Sequence, residues 1–158
     1  MQTDKQIQAD TALLLDNQLC FPLYACAREV VKRYRPFLGE LGRTYTQYIA
    51  MMVLWETPSV SSRQLGRRLF LDSGTLTPVL KKLEAMGYVN RSRDERDERN
   101  LIVTLTDEGR ALKTRAAVVP QQMASCLRIE PADAIQLYTL LHRLLDSMQT
   151  EEDSDCAE

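Results

Sequence analysis

Residues 61–105 read SSRQLGRRLFLDSGTLTPVLKKLEAMGYVNRSRDERDERNLIVTL. Ser61 followed by Gln64 fits a capping box, in which each side chain meets an unpaired amide at a helix start. Leu65 and Leu69 follow at helical spacing and are expected to point inward. Phe70-Leu71 forms a turn, and Asp72 is placed to cap a second helix. Gly87 stands where a left-handed C-terminal cap belongs. Leu101, Val103 and Leu105 then alternate as a half-buried strand does. Two short helices, a tight turn and a hairpin predict a winged helix-turn-helix, which sets one helix in the DNA major groove and a loop on the neighbouring backbone.

At about 100° per residue, Leu76, Val79, Leu80 and Leu83 share the face of the second helix that is expected to be buried. Gly74, Thr77, Pro78 and Lys81 lie opposite. The residues expected on DNA are Ser73, Gly74, Thr75, Thr77, Pro78, Lys81 and Lys82. Small residues let the helix approach base edges, threonine hydroxyls can hydrogen-bond there, and a helix N-terminus favours phosphate. Pro78 would crowd the carbonyl four residues back. That residue is Gly74, the least crowded choice, so an early kink is expected. The plainer alternative is a capped helix start with no ligand. In the hairpin, Arg91, Arg93, Arg96 and Arg99 interleave with Asp94, Glu95, Asp97 and Glu98. The net charge of that run is zero, so a solvated loop competes with DNA contact. DNA contact is the expectation for Arg91, Arg93, Arg96 and Arg99, since arginines on a hairpin can reach the minor groove while neighbouring acids hold some of them in place. Asp97 is expected to orient a neighbour rather than touch DNA.

Outward from this core, residues 1–12 are expected to be disordered. A mostly helical segment follows from about Leu13 to Leu38, with Leu15, Leu19, Leu23 and Ala27 at four-residue steps. Pro22 predicts a kink or a helix start near Phe21, and Pro36 with Gly39 is expected to close the segment. A second helix over Thr44–Trp55 puts Tyr48, Met51, Met52 and Trp55 on an apolar side, and Thr57-Pro58 ends it. After the hairpin, Thr106-Asp107-Glu108 opens a helix running to about Cys126 with a bend at Pro120. Pro131 opens the last helix, where Ile135, Leu137, Tyr138, Leu141, Leu144 and Leu145 form a wide apolar stripe. The fold class is therefore mainly α with a small β wing. No linker or internal repeat divides the chain. A single unit is expected over 13–149, with the winged helix-turn-helix over 43–106 between flanking helices at 13–42 and 107–149.

The 158 residues carry a net charge of only −2, which taken alone argues against a nucleic-acid partner. The distribution reverses that reading. Ser61 to Arg115 holds 12 Lys or Arg against 8 Asp or Glu, and Ala116 to Glu158 holds 2 against 8. The tail at 150–158 is acidic and expected to be disordered. No run approaches the roughly 18 apolar residues of a membrane span and no N-terminal signal pattern appears, so no membrane partner and a cytoplasmic location are expected.

The cysteines are Cys20, Cys26, Cys126 and Cys156, with one histidine, His142. No CxxC pair is present, so no zinc site is expected, nor any other metal or cofactor. In a reducing compartment disulfides are transient or sensory. Each cysteine is thus either a small buried apolar residue or a redox group. Cys20 lies near the start of the first helix, a position that favours the reactive thiolate. Tyr24, four residues on, shares its helix face. Tyr34, 14 residues on, returns nearly to the same face but about 21 Å along the axis. It can reach Cys20 only across a two-fold axis, and Tyr45 can join the same pocket. Tyrosine hydroxyls can donate to a thiolate or to a peroxide oxygen; simple interface packing is the alternative. Cys26 lies about 240° round the helix from Cys20 and is expected to pack. Cys156 is read as incidental and His142 as a surface or interface residue.

With its long flanking helices, the winged core resembles the MarR family of dimeric repressors. DNQLCFPLY, RPFLGELGRTYTQYIAMMVLWE, LDSGTLTPVLKKLE and RDERDERNLIVTLTDEG are together similar to the OhrR branch, which senses organic hydroperoxides. The resemblance covers about Leu13 to Met148. It implies a homodimer on a pseudo-palindromic double-stranded DNA operator, not an enzyme. It implies Cys20 as the peroxide-reactive cysteine, with Tyr34 and Tyr45 of the other subunit as its hydrogen-bonding partners and Cys126 as a resolving cysteine. An organic hydroperoxide would be the inducer, and release would derepress an organic-peroxide-resistance gene. Two rival functions stay open from the residues. A repressor released by a phenolic or drug-like ligand would respond reversibly with its thiols intact. A thiol peroxidase would turn over peroxide without DNA affinity, but no Arg or Glu lies close to Cys20 in sequence to activate it.

Overall fold

The computed structural model describes residues 11–155 except Glu95, Arg96, Glu98 and Arg99, with side chains as far as Met148. The chain forms two compact units, divided between Met123 and Ala124.

Within the described residues of the first unit, a 3-10 turn spans Leu15–Asn17. Helix α1 spans Cys20–Glu40. Pro22 therefore falls in its first turn, where the missing N–H has no helical partner to lose. Pro36 and Gly39 were expected to end this helix, but it passes through both to Glu40. Burial explains the difference: Leu38 is fully inside the core, and Tyr34 and Phe37 pack against it. That packing outweighs one lost backbone bond. Helix α2 spans Tyr45–Glu56, and a capping box of Thr44 and Gln47 starts it. The chain then forms strand β1, Ser59–Ser61, an element the sequence pattern did not indicate. Three residues are too few to display a period, and β1 exists because β3 supplies its pairing partner.

Helix α3 spans Ser62–Leu69 and carries the expected Ser61–Gln64 capping box. Helix α4 spans Ser73–Ala85 with Asp72 as its cap. Between them, Phe70 adopts the left-handed conformation at φ 53°, and Leu71 N–H donates to the Gly66 carbonyl at 2.9 Å. A Cβ at Gly66 would lie 2.8 Å from the Leu71 carbonyl oxygen, so glycine permits this tight turn. Strands β2 (Val89–Arg93) and β3 (Leu101–Leu105) form the wing. The sheet is antiparallel with order β1-β3-β2.

Helix α5 spans Asp107–Ala116 and α6 spans Val119–Cys126. The expected bend at Pro120 is thus a break just ahead of it. Trp55 Nε1 donates to the Gly109 carbonyl at 2.9 Å, fastening α5 to α2. Met51, Leu54, Leu65, Leu80, Leu83, Val89 and Val103 are fully buried, so α2, the helix-turn-helix and the sheet share one core. In the second unit, helix α7 spans Pro131–Asp155, past the boundary at 149 and into the stretch expected as an irregular tail. Residues 1–10 of the expected N-terminal tail and Cys156 lie outside the described residues.

Candidate nucleic-acid interface and redox site

The outward side of α4 is laid out as its spacing predicts. Leu76, Leu80 and Leu83 are buried and Val79 is half-buried, while Ser73, Gly74, Thr75, Thr77, Pro78, Lys81 and Lys82 are exposed. The α4 N-terminus is built by Asp72. Its carboxylate accepts the Thr75 backbone N–H at 2.8 Å and the Thr75 hydroxyl at 2.7 Å. The Thr75 hydroxyl proton is thereby committed, leaving its oxygen lone pairs to accept. These bonds, the side-chain one foremost, hold the Asp72 carboxyl below its usual range. Pro78 sits inside the helix, over the open backbone of Gly74.

In the wing, Arg93 is exposed and Arg91 only partly so. Arg96 and Arg99 lie outside the described residues. Asp97 accepts the Asn100 side-chain amide at 3.1 Å, in keeping with an orienting role. Arg91 is held by Glu84, with Nε at 2.9 Å and Nη2 at 2.5 Å from Oε2. Sequence reasoning did not single out Glu84, although a seven-residue step across a glycine turn was visible. It also passed over Arg63 and Arg67 on α3. Both are exposed, and their four-residue spacing puts them on one face.

Cys20 is exposed in the first turn of α1. Tyr24, one turn on, is 59% exposed. Its hydroxyl accepts from Arg28 at 3.2 Å, and the Arg28 guanidinium lies over its ring. That hydroxyl keeps its own proton to donate. Tyr34 and Tyr45 are brought together, with ring centroids 4.9 Å apart, and Tyr48 joins them at 6.0 Å from Tyr34. Burial, foremost, pushes all three hydroxyls above the usual tyrosine value. They are therefore protonated donors near neutral pH. Cys20 and Tyr34 are on one continuous helix, so about 21 Å of axis separates them.

Arg43, in the turn ahead of α2, reaches the end of α4. Its guanidinium stacks on Tyr88 at 4.3 Å and Nη1 donates to the Met86 sulfur at 2.9 Å. Cys26, expected to pack, is exposed. In the second unit, Cys126 is partly exposed. The exposed His142 stacks on Tyr138 with centroids 4.0 Å apart.

A helix-turn-helix whose capped second helix exposes a small-polar face, with a two-stranded wing following it, defines a winged-helix DNA-binding regulator. The family described as Transcriptional regulator SarA/Rot matches residues 32–116. The chain belongs to this family of transcriptional regulators. It is 42% identical over 134 residues to the organic hydroperoxide resistance transcriptional regulator of Bacillus subtilis, covering 85% of this chain and 91% of that one. It is 40% identical to the HTH-type transcriptional regulator SarZ of Staphylococcus aureus, over 83% of this chain and 88% of that one. Among solved structures, reduced AbfR bound to DNA matches with a TM-score of 0.74 at 36% identity, covering 92% and 97% of the two chains. The disulfide form of AbfR matches with a TM-score of 0.59 at 38% identity, covering 92% and 99%.

Proposed function

We propose that this chain is a homodimeric, redox-sensing repressor that releases its operator when organic hydroperoxide oxidises Cys20. The observation that carries this reading is the separation along α1. A cluster of protonated tyrosine donors stands about 21 Å from the only thiol at that helix's start, and two antiparallel copies would bring each cluster to the other's thiol. Exposed apolar side chains support the dimer. Leu13, Leu14, Leu15 and Leu19 in the first unit, and Ile135, Leu137, Tyr138 and Leu140 in the second, are all at least 46% exposed. Apolar surface of this extent marks an interaction face.

The chemistry proceeds in two steps. The Cys20 thiolate attacks the outer oxygen of the hydroperoxide, the O–O bond breaks, and the alkoxide leaves as an alcohol after taking a proton. Tyr34 and Tyr45 of the other subunit hydrogen-bond the departing oxygen, and Tyr24 donates from its own helix. The product is a sulfenic acid. Cys126 of the other subunit then attacks the sulfenic sulfur, its proton and the hydroxide leave as water, and a disulfide remains. The similar protein AbfR has been crystallised reduced on DNA, overoxidised on DNA, and as a disulfide. That set favours the disulfide, not oxidation alone, as the releasing event. Arg43, two residues ahead of Tyr45 in sequence, contacts Met86 and Tyr88 and so offers a mechanical route from the start of α2 to α4.

On DNA, Ser73, Gly74, Thr75, Thr77 and Pro78 approach base edges, Lys81 and Lys82 take phosphates, and Arg93, Arg96 and Arg99 follow the wing into the minor groove. Arg63 and Arg67 on α3 add backbone contacts, as the first helix of such a motif crosses the backbone.

Operator binding measured before and after cumene hydroperoxide, for the parent, Cys20→Ser and Cys126→Ser, tests the reading. The parent should release DNA and run as a covalent dimer without reductant. If Cys20→Ser still releases DNA, the sensor assignment fails. If Cys126→Ser releases it as fully and as durably as the parent, the resolving role fails while the sensor stands.

A further inference from the structure

We propose that Glu84 and Arg91 are positioning residues that join the wing to the recognition helix, with Arg91 acting on its protein neighbour instead of on DNA. The inference rests on the DNA-binding reading above and reassigns one residue within it. Glu84 lies in the last turn of α4, and Arg91 is the third residue of β2. The chain reverses between them at Gly87, where φ is +76°. Both oxygens of Glu84 are used. Oε2 accepts Nε and Nη2 of Arg91, and Oε1 accepts the Arg91 backbone N–H at 3.1 Å.

That backbone bond has a specific consequence. β2 is an edge strand of the sheet, so an N–H turned away from β3 is an open edge group. Glu84 closes that edge and grips the side chain of the same residue. The wing root is therefore fixed on both sides, by the β3 ladder and by α4. The pair is also sheltered. Its side chains are 18% and 36% exposed, whereas Arg68–Glu56 is 48% and 58% exposed and Lys32–Glu29 is 65% and 61% exposed. A guanidinium neutralised in this way contributes little to counterion release, which is how a phosphate contact strengthens binding. Its effect on affinity comes instead from holding two DNA-reading parts at one relative angle, so that both engage without a further ordering cost.

The test uses the full-length reduced protein and a duplex that the parent selects from a randomised pool. Failure of the parent to select any duplex would sink the DNA-binding reading itself. Binding is then followed against salt by fluorescence anisotropy for Glu84→Gln, Arg91→Ala, Arg91→Lys and the double variant Glu84→Gln/Arg91→Ala. Circular dichroism confirms that each is folded. The single changes Glu84→Gln and Arg91→Ala should weaken binding by a similar factor, on the order of tenfold. The double variant should be no weaker than either, and the slope of log K against log salt should stay at the parent value. Arg91→Lys should not restore affinity, since an ammonium cannot reproduce the forked contact. Three results overturn the proposal: a slope reduced by about 1 in Arg91→Ala, tighter binding in Glu84→Gln, or parental affinity in both folded single variants. Should Arg91→Ala fail to fold, Glu84→Gln and Arg91→Lys decide by the same criteria.

Discussion

Asp72 shows how one exposed side chain can set up a binding surface. Its hydrogen bonds from Thr75 hold the carboxyl below its usual value of 3.8, so folding favours the ionised form. The stabilisation is present above the unfolded-state value and is lost as pH falls through the lower folded-state value. Thermal unfolding from pH 7 to about pH 2.5 should therefore reveal a falling Tm in the parent and a flatter profile in Asp72→Asn, which caps without titrating. Superimposable profiles would contradict this account. The tyrosines give a second prediction at the same scale. Tyr34→Phe and Tyr45→Phe keep the packed rings but remove a donor, so Cys20 oxidation should slow by roughly tenfold each while operator binding by the reduced protein is unchanged. Trapping the sulfenic acid in a rapid-mixing time course measures the rate. Single residues were legible in sequence where they obeyed a period, as on the two faces of α4. Glu84 was not, because it acts through Arg91 on another element, a partner that only the folded chain brings near.

Among the elements, the helix-turn-helix was readable because caps and turn residues punctuate it, whereas β1 and the continuation of α1 were not. Those two depend on tertiary partners: β1 on the ladder of β3, and the last turn of α1 on the burial of Leu38 and the packing of Phe37. The turn between α3 and α4 is specified by a close backbone approach at Gly66. A methyl group there would lie 2.8 Å from the Leu71 carbonyl oxygen, and neither backbone can give way without opening the turn. Gly66→Ala should cost about 1–3 kcal/mol in a denaturant titration. Its loss of operator affinity should exceed what the unfolded fraction explains, because α4 is tilted as well. The exposed pair on α3 behaves differently. Arg63→Ala and Arg67→Ala should leave stability unchanged, weaken selected and unrelated duplexes alike, and each lower the salt slope by about 1. A loss confined to the selected duplex would instead make them base readers.

For the whole molecule, the proposed two-fold assembly ties operator geometry to redox state. A dimer presents its two α4 helices to half-sites about 10–10.5 base pairs apart, or a multiple of that, centre to centre. Inserting 5 base pairs between the half-sites turns one of them to the far side of the duplex. The second α4 can then engage only if the protein or the DNA deforms, so reduced protein should bind the altered site no better than an unrelated duplex. Inserting a full turn restores the facing but lengthens the span, and a rigid dimer should not recover. The oxidised protein meets the same problem from the other side. A disulfide that changes the separation of the two helices has to shift the equilibrium by about 2.7 kcal/mol to weaken binding 100-fold. Changing the spacing by one or two base pairs should then alter the ratio of reduced to disulfide affinity, with some spacings penalising the disulfide form less. A panel of duplexes differing only in spacer length, titrated with reduced protein and with the purified covalent dimer, measures that ratio directly. If the ratio is the same at every spacing, the bond does not act by moving the two reading helices relative to each other, and release has to come from disorder within one winged helix.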